Sequence, residues 1–362
     1  MIKQKRIIQT LIDLVKIDSP SGEEKLISQE VAKRLKKLGG KVKFDSYSNI
    51  ICKFPGNGDP ILLNCHLDTV EPGRNILPQI KGDRIVSDGT TILGADPKAG
   101  ISIILEAITS VKEDRGVLVP LEVVFSREEE SSLGGAINLD YSSIKAKHGI
   151  VFDGDAEVHN IFVSSPGYRR MDFTVTGRSA HAGVEPEKGI SAIEIATKII
   201  SSLKLGRIDE ETTANIGLIE GGSARNAVPE KATMKGELRS RDQSKLLKMV
   251  GEVQQIVGEV KSLYPEAIID LDLTEEFQGF KLKPDHKTIQ LASEILSSMS
   301  LKPVLVDSGG GSDANIFHQK GIEVIVVGTG VWELHTTREY VVIPQMVEAA
   351  RFCEKIIRAD ID

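Results

Sequence analysis

Cysteine is scarce in this chain: Cys52, Cys65 and Cys353 are the only three, odd in number and far apart. That excludes a disulfide framework and fits a reducing compartment, so a cytoplasmic location is expected. Long apolar runs are missing as well. No stretch approaches the roughly 18 apolar residues that a membrane helix requires. The basic start, Met1-Ile2-Lys3-Gln4-Lys5-Arg6, leads into an amphipathic pattern and not into the apolar core of a signal peptide. Lys and Arg form no cluster, and the net charge is −7. Neither nucleic acid nor an anionic membrane is therefore an expected partner. Repeats and low-complexity tracts are absent too.

What remains is a globular composition, 40% apolar and 27% charged, in 362 residues. That length is too great for one ordinary domain and predicts two. Ile7, Ile8, Leu11, Leu14 and Val15 recur at helical spacing, as do Leu26, Ile27, Val31 and Leu35 after the break at Ser19-Pro20-Ser21-Gly22. Ser21 and Glu24 have the spacing of a capping box for the second helix. Strands are expected at about 41–45 and 50–54.

Pro60–Cys65, Val117–Phe125, Gly149–Phe152 and Glu323–Val327 read as short buried strands. Each delivers polar residues at or beyond its carboxyl end: His66-Leu67-Asp68-Thr69, Arg127-Glu128-Glu129-Glu130, Asp153-Gly154-Asp155 and, after a glycine loop, His335-Thr336. Gly94-Ala95-Asp96-Pro97-Lys98-Ala99-Gly100 opens an apolar helix running to about Val111. Strands alternating with helices predict an α/β layer with a mostly parallel sheet flanked by helices, and in such sheets the site lies outside the carboxyl ends of the strands.

Between about residues 167 and 280 the texture changes. Strand-like stretches at Arg169–Val175, Asn215–Glu220, Ala232–Leu238 and Ala267–Leu273 alternate with helical ones at Ile190–Leu203 and Gln243–Leu263. In the long helix Leu246, Leu247, Val250, Val253, Ile256, Val257 and Val260 are read as inward. The order β-α-β-β-α-β is that of a ferredoxin-like α+β sandwich. The expected organisation is a first domain over 1–166 that resumes over 281–362, with an inserted domain over 167–280.

Each polar cluster has a plain structural reading. Asp96 can cap a helix, His66 can be a satisfied histidine at a strand end, the three glutamates can be a solvated run, and Asp153 and His335 can be turn or loop residues. Taken together they point elsewhere. His66 and Asp68 share a face of extended chain, so Asp68 can orient the imidazole. Three adjacent carboxylates after a buried strand repel one another unless a cation offsets them. Two histidines and several carboxylates, with no cysteine, make an N/O donor set suited to zinc. Two such ions sharing Asp96 would activate a water between them, leaving one glutamate free to move a proton.

The motifs His66-Leu67-Asp68-Thr69, Gly94 to Gly100, Glu129-Glu130 with Gly135-Ala136, Asp153-Gly154 and His335-Thr336 resemble, in order, the five motifs of a di-zinc metallopeptidase family. Peptidase T, carboxypeptidase G, aminoacylase and succinyl-diaminopimelate desuccinylase belong to it. Gly177 to Gly183, Asn226 to Pro229 and Gly236 to Ser240 resemble its lid-domain signatures, and Gly309 to Ala314 resembles a glycine turn near its substrate pocket. The match runs over nearly the whole chain, and the Gly-Ala-Asp-x-Lys-Ala-Gly and His-Thr-Thr-x-Glu-Tyr forms look most like the peptidase T branch.

The resemblance implies a zinc-exopeptidase fold with a lid inserted, and two zinc ions per chain, for which cobalt or manganese can substitute. One ion would take His66, Asp96 and Asp153, the other Asp96, Glu130 and His335. Glu129 would be the general base for a metal-bridged water, and Asp68 the partner of His66. Glu128 makes the glutamate register ambiguous, though Gly135-Ala136 downstream favours Glu129 and Glu130, and Asp155 competes with Asp153, which is favoured because it ends the strand and precedes Gly154. His181, Asn226 and Arg239 would serve the substrate from the lid, with His181 reaching the partner's site in a homodimer. The implied activity is hydrolysis of short peptides by an aminopeptidase or tripeptidase. The alternatives are an N-acyl-amino-acid deacylase of the same family and a non-catalytic peptide-binding homologue. The family has a second aspartate where this chain has Pro97, and a cis Asp96–Pro97 bond is expected, because proline lowers the cost of that geometry.

Overall fold

A computed structural model describes residues 1–56 and 58–358, and the chain divides into two compact units. Met1–Val163, Leu282–Ser308 and the chain from Ser312 onward form the first; Ser164–Lys281 with Gly309–Gly311 forms the second. No helix among the described residues is long and apolar enough to cross a membrane.

The first unit is built on a mixed sheet. Strand Ile61–His66 pairs in parallel with both Leu121–Ser126 and His148–Gly154, and the latter pairs in parallel with Glu323–Gly328. These four strands are buried on both faces, which is why they read as continuous apolar runs. Outside them the pairing is antiparallel, through Lys41–Phe44 and Ile50–Phe54 on one side and Asn160–Ser165 on the other. The sheet is thus parallel only at its centre. Short connections such as 45–49 allow only antiparallel neighbours, whereas parallel ones need a long crossover. The crossover between Ile61–His66 and Leu121–Ser126 contains the helix Ala95–Glu113, mostly apolar and buried on every face along almost all of its length.

A small four-stranded sheet was not legible in the sequence. It pairs Gln79–Lys81 with Arg84–Val86, then Tyr340–Val342 and Val331–Trp332. Strands of two or three residues are too short to show a period. This sheet fixes both arms of the loop that carries His335.

Three local expectations fail. Ser21 and Glu24 form no capping box for helix Lys25–Lys37, which has no side-chain cap at all. Ser21 instead donates to Asp68, and buried Glu24 accepts from Arg127 and from the Gly22 and Glu128 amides. Both side chains are used to hold the functional turns. Leu26 and Leu247 face solvent, since each lies one position off the stripe that its helix buries.

The second unit has a five-stranded antiparallel sheet in the order Gly206–Asp209, Thr212–Gly221, Lys231–Ser240, Gly167–Thr176, Ile268–Phe277. Helices Ala192–Ser202 and Gln243–Leu263 supply Ile195, Ile199, Leu246, Met249, Val253 and Val257 to a core with Met171, Phe173, Met234 and Leu238. The four long strands have the order of a ferredoxin-like sandwich, and Gly206–Asp209 adds an edge strand.

Candidate metal centre

Four neighbouring parallel strands bring their carboxyl ends together in the first unit. His66 ends one strand, and Asp153 lies at the end of the adjacent one. His66 Nε2 stands 3.0 Å from Asp153 Oδ1 and 3.2 Å from Asp96 Oδ1. The other oxygen of Asp96, Oδ2, is 3.3 Å from Nε2 of His335, which in turn is 3.0 Å from Glu130 Oε2. Asp96 therefore faces two imidazoles with its two oxygens, and the Nε2 of each imidazole has one further carboxylate.

The local backbone explains this aim. Gly94 takes a left-handed conformation and Asp96 an extended one, at φ −78° and ψ 109°, so the regular helix starts beyond it. A residue before proline is pushed toward extended backbone, and the Asp96–Pro97 bond is cis, as expected. Buried Glu339, on the same loop as His335, holds this segment: its Oε1 accepts from the Asp96 amide at 2.9 Å and its Oε2 from the Gly94 amide at 2.7 Å. Burial pushes the Glu339 carboxyl up to about 7 and the nearby Lys98 ammonium down to about 8. Lys98 donates to the Ile17 carbonyl at 2.8 Å.

Glu339→Gln would leave one of those two buried amides facing an NH2 group. A stranded buried donor costs about 1–3 kcal/mol, so the variant is expected to be less stable and to bind metal more weakly. Denaturant unfolding and zinc titration check this; wild-type values in both would show that Glu339 does not position Asp96.

Asp68 joins the histidine to the glutamate turn. Its Oδ1 lies 3.3 Å from His66 Nδ1 and accepts from the Glu129 amide, while Oδ2 accepts from the Glu130 amide and from Ser21 Oγ. Glu128 sits at φ +51°, which turns its side chain away to accept from Tyr47 Oη at 2.7 Å. Gly135 permits the turn to close, because a Cβ there would lie 2.3 Å from the Arg127 carbonyl oxygen. Glu130 reaches His335, and the Glu129 carboxylate has no hydrogen-bond or ion-pair partner among the described residues. Asp155 is exposed and makes no ion pair with His66 among the described residues, in contrast to Asp153.

The electrostatics show a cluster short of positive charge. Burial, reinforced by neighbouring carboxylates, raises Glu129, Glu130 and Asp153 above the ordinary carboxyl range. Burial would raise Asp96 too, but hydrogen bonds from His335 and His66 outweigh it and hold it low. Hydrogen bonding to Asp96 and Glu130 pushes His335 up to about 10. Nitrogen and oxygen donors packed this closely, with excess negative charge, fit divalent cations. His66, Asp96 and Glu130 offer ligand atoms within 4.8 Å of one another.

Asp313 was missed as a member of this neighbourhood, although its motif was visible. It is buried, accepts from Ser126 Oγ and Asn64 Nδ2, and is pushed up to about 7 by burial. Only a structure shows that the Gly309–Ala314 turn delivers it beneath the strand ends.

The remaining sequence candidates lie in the second unit. His181 is exposed and forms a backbone bridge with Ala227, and the Ala182 amide donates to the Asn226 carbonyl. Arg239 is paired with Glu237 and stacks over the Tyr168 ring at 4.7 Å.

Comparison with known proteins agrees with this layout. Residues 163–265 match a family model described as a peptidase dimerisation domain. The chain is 36% identical to the aminopeptidase PepT of Bacillus cereus, with 98% of each chain covered and a TM-score of 0.90. The chain belongs to the M20 family of metallopeptidases. Within M20 it is peptidase T-like. A tripeptidase from Staphylococcus aureus is 34% identical over 98% of each chain, with a TM-score of 0.93. Protein YqjE of Bacillus subtilis is 37% identical over 373 residues, 99% of both chains. The M20 fold, a helix-flanked mixed sheet with an inserted dimerisation domain, is the one described above.

Proposed function

We propose that this M20 protein is a dinuclear, zinc-dependent aminopeptidase that hydrolyses short peptides, tripeptides foremost. One observation carries the reading: Asp96 directs its two oxygens at two imidazoles, each with its own second carboxylate, beside the unpaired Glu129. His66, Asp96 and Asp153 would hold one cation, and Asp96, Glu130 and His335 the other. Bound there, the two cations would supply Lewis acidity and lower the pKa of water. Asp68 keeps the His66 ring oriented and, through the Glu129 and Glu130 amides, keeps the glutamate turn in register with it. Glu129 takes the proton of the attacking water and returns it to the leaving amine. Its freedom from other partners suits a group that must change protonation state within one turnover.

Similarity to an aminopeptidase and a tripeptidase over almost the full length supports short peptides as substrates. The dimerisation-domain match supports a homodimer; the roles of His181, Asn226 and Arg239 in substrate binding rest on the motif resemblance. Arg239 would then have to share its guanidinium between Glu237 and a substrate carboxylate.

The test is a panel of zinc-loaded reactions with di-, tri- and tetrapeptides and N-acetyl amino acids. Highest kcat/KM on tripeptides, with release of the N-terminal residue, is expected. Preference for N-acetyl amino acids would make the protein a deacylase, and binding of peptides without turnover would remove the catalytic reading.

A further inference from the structure

The parallel strands have two ends, and the amino ends carry a second group of donors. His148 begins one central strand and Glu323 begins its neighbour, and the parallel register places these two residues directly opposite each other. His286 immediately precedes helix Lys287–Ser298, shortly after the chain returns to the first unit at Leu282. His286 Nε2 lies 3.0 Å from Glu323 Oε2, and His148 Nδ1 lies 3.6 Å from the same oxygen. The two imidazole centroids are 5.9 Å apart. One ligand atom from each residue falls within 4.8 Å of the others.

We infer that His148, His286 and Glu323 form a separate binding site for one divalent transition cation of the zinc class. Asp153 lies five steps along the strand from His148, about 17 Å at 3.3 Å per residue, so this site is distinct from the centre at the opposite strand ends. Two imidazoles and a carboxylate are a donor set that zinc accepts, with a further position left for water. Half-exposure of His148 and Glu323 gives the ion a way in. His148 Nδ1 is itself buried and has no hydrogen-bond partner, which leaves a lone pair or proton unused beside a carboxylate. Hydrogen bonding to His286 already holds the Glu323 carboxyl below its ordinary value, so it is ionised and ready to act as a ligand.

The cost of binding is visible too. His286 Nδ1 accepts from the Thr288 amide at 3.3 Å, which puts the ring proton on Nε2. Coordination through Nε2 moves that proton to Nδ1 and gives up this long, weak cap. In exchange the ion ties together two sheet strands and the start of the helix by which the chain re-enters the first unit. A further histidine, His318, donates from Nε2 to the Val324 carbonyl at 2.8 Å and is committed there.

Equilibrium dialysis of the full chain with zinc tests the inference by difference. Wild-type protein is expected to hold one equivalent more than His148→Ala, whatever the number held at the other strand ends. Glu323→Gln, which keeps the size of the side chain, is expected to weaken that same equivalent about 100-fold or more, since loss of a ligand exceeds loss of an outer partner. Zinc should raise the melting temperature of the wild type further than that of either variant, with peptide hydrolysis unchanged in both. Equal zinc content in wild type and His148→Ala, or an extra equivalent that both variants retain, overturns the site.

Discussion

Replacing Glu129 by Gln is expected to lower turnover by about two to four orders of magnitude while leaving the metal content of the protein unchanged. Glutamine has the size and hydrogen-bonding reach of glutamate but cannot take up a proton. Glu129 contributes nothing visible to the architecture: its amide is held by Asp68, and its carboxylate has no partner among the described residues. Glu130 is the contrasting neighbour, because its carboxylate lies 3.0 Å from His335. Glu130→Gln is therefore expected to weaken metal binding, and the two substitutions separate base from ligand. Kinetics on a tripeptide together with elemental analysis check both. Metal loss in Glu129→Gln with retention in Glu130→Gln would shift the assignment by one residue.

Gly100→Ala is expected to damage the same centre from a distance. A Cβ at residue 100 would lie 2.1 Å from the Phe152 carbonyl oxygen and 2.6 Å from Cys65 Sγ. Those atoms belong to the residues just before Asp153 and His66. The closest obstacle is backbone, so no rotamer change relieves it, and the helix must move off the strand ends. Overpacking of this kind costs about 1–3 kcal/mol and sometimes more. The displacement also draws Asp96 away from His66 and Asp153. Lower stability in denaturant and reduced zinc content are the expected result. A Gly100→Ala protein as stable as the wild type and fully loaded with metal would show that helix and strand ends are not packed as described.

Much of this was legible in the sequence, for identifiable reasons. Fully buried parallel strands announce themselves as apolar runs, and polar residues at their carboxyl ends stand out against them. The clusters around His66, Glu128–Glu130, Asp153 and His335 could therefore be read as one site, the family resemblance then singled out His66, Asp96, Glu130, Asp153 and His335, and the structure places these five in one cluster. The ambiguity at Glu128 could be narrowed from sequence only by matching Gly135-Ala136, because its physical cause is a positive φ that sends one of three identical side chains to Tyr47. Supporting residues were harder still. Ser21 and Glu24 matched a local capping pattern, yet both are engaged by partners at least 47 positions away, Asp68 and Arg127. Glu339 and Asp313 lay within recognisable motifs, but a buried carboxylate that holds two amides looks, in one dimension, like any other acid in a loop. The strands of two and three residues beside His335 carry no periodicity to read.

The account rests on Asp96 as a carboxylate shared by two metal ions, and anomalous diffraction at the zinc edge from zinc-loaded crystals tests that most directly. Two peaks are predicted at the carboxyl ends of the central strands, one beside His66 and Asp153 and the other beside Glu130 and His335, with one oxygen of Asp96 on each. A single peak there at full zinc loading, or two peaks of which only one touches Asp96, would contradict it.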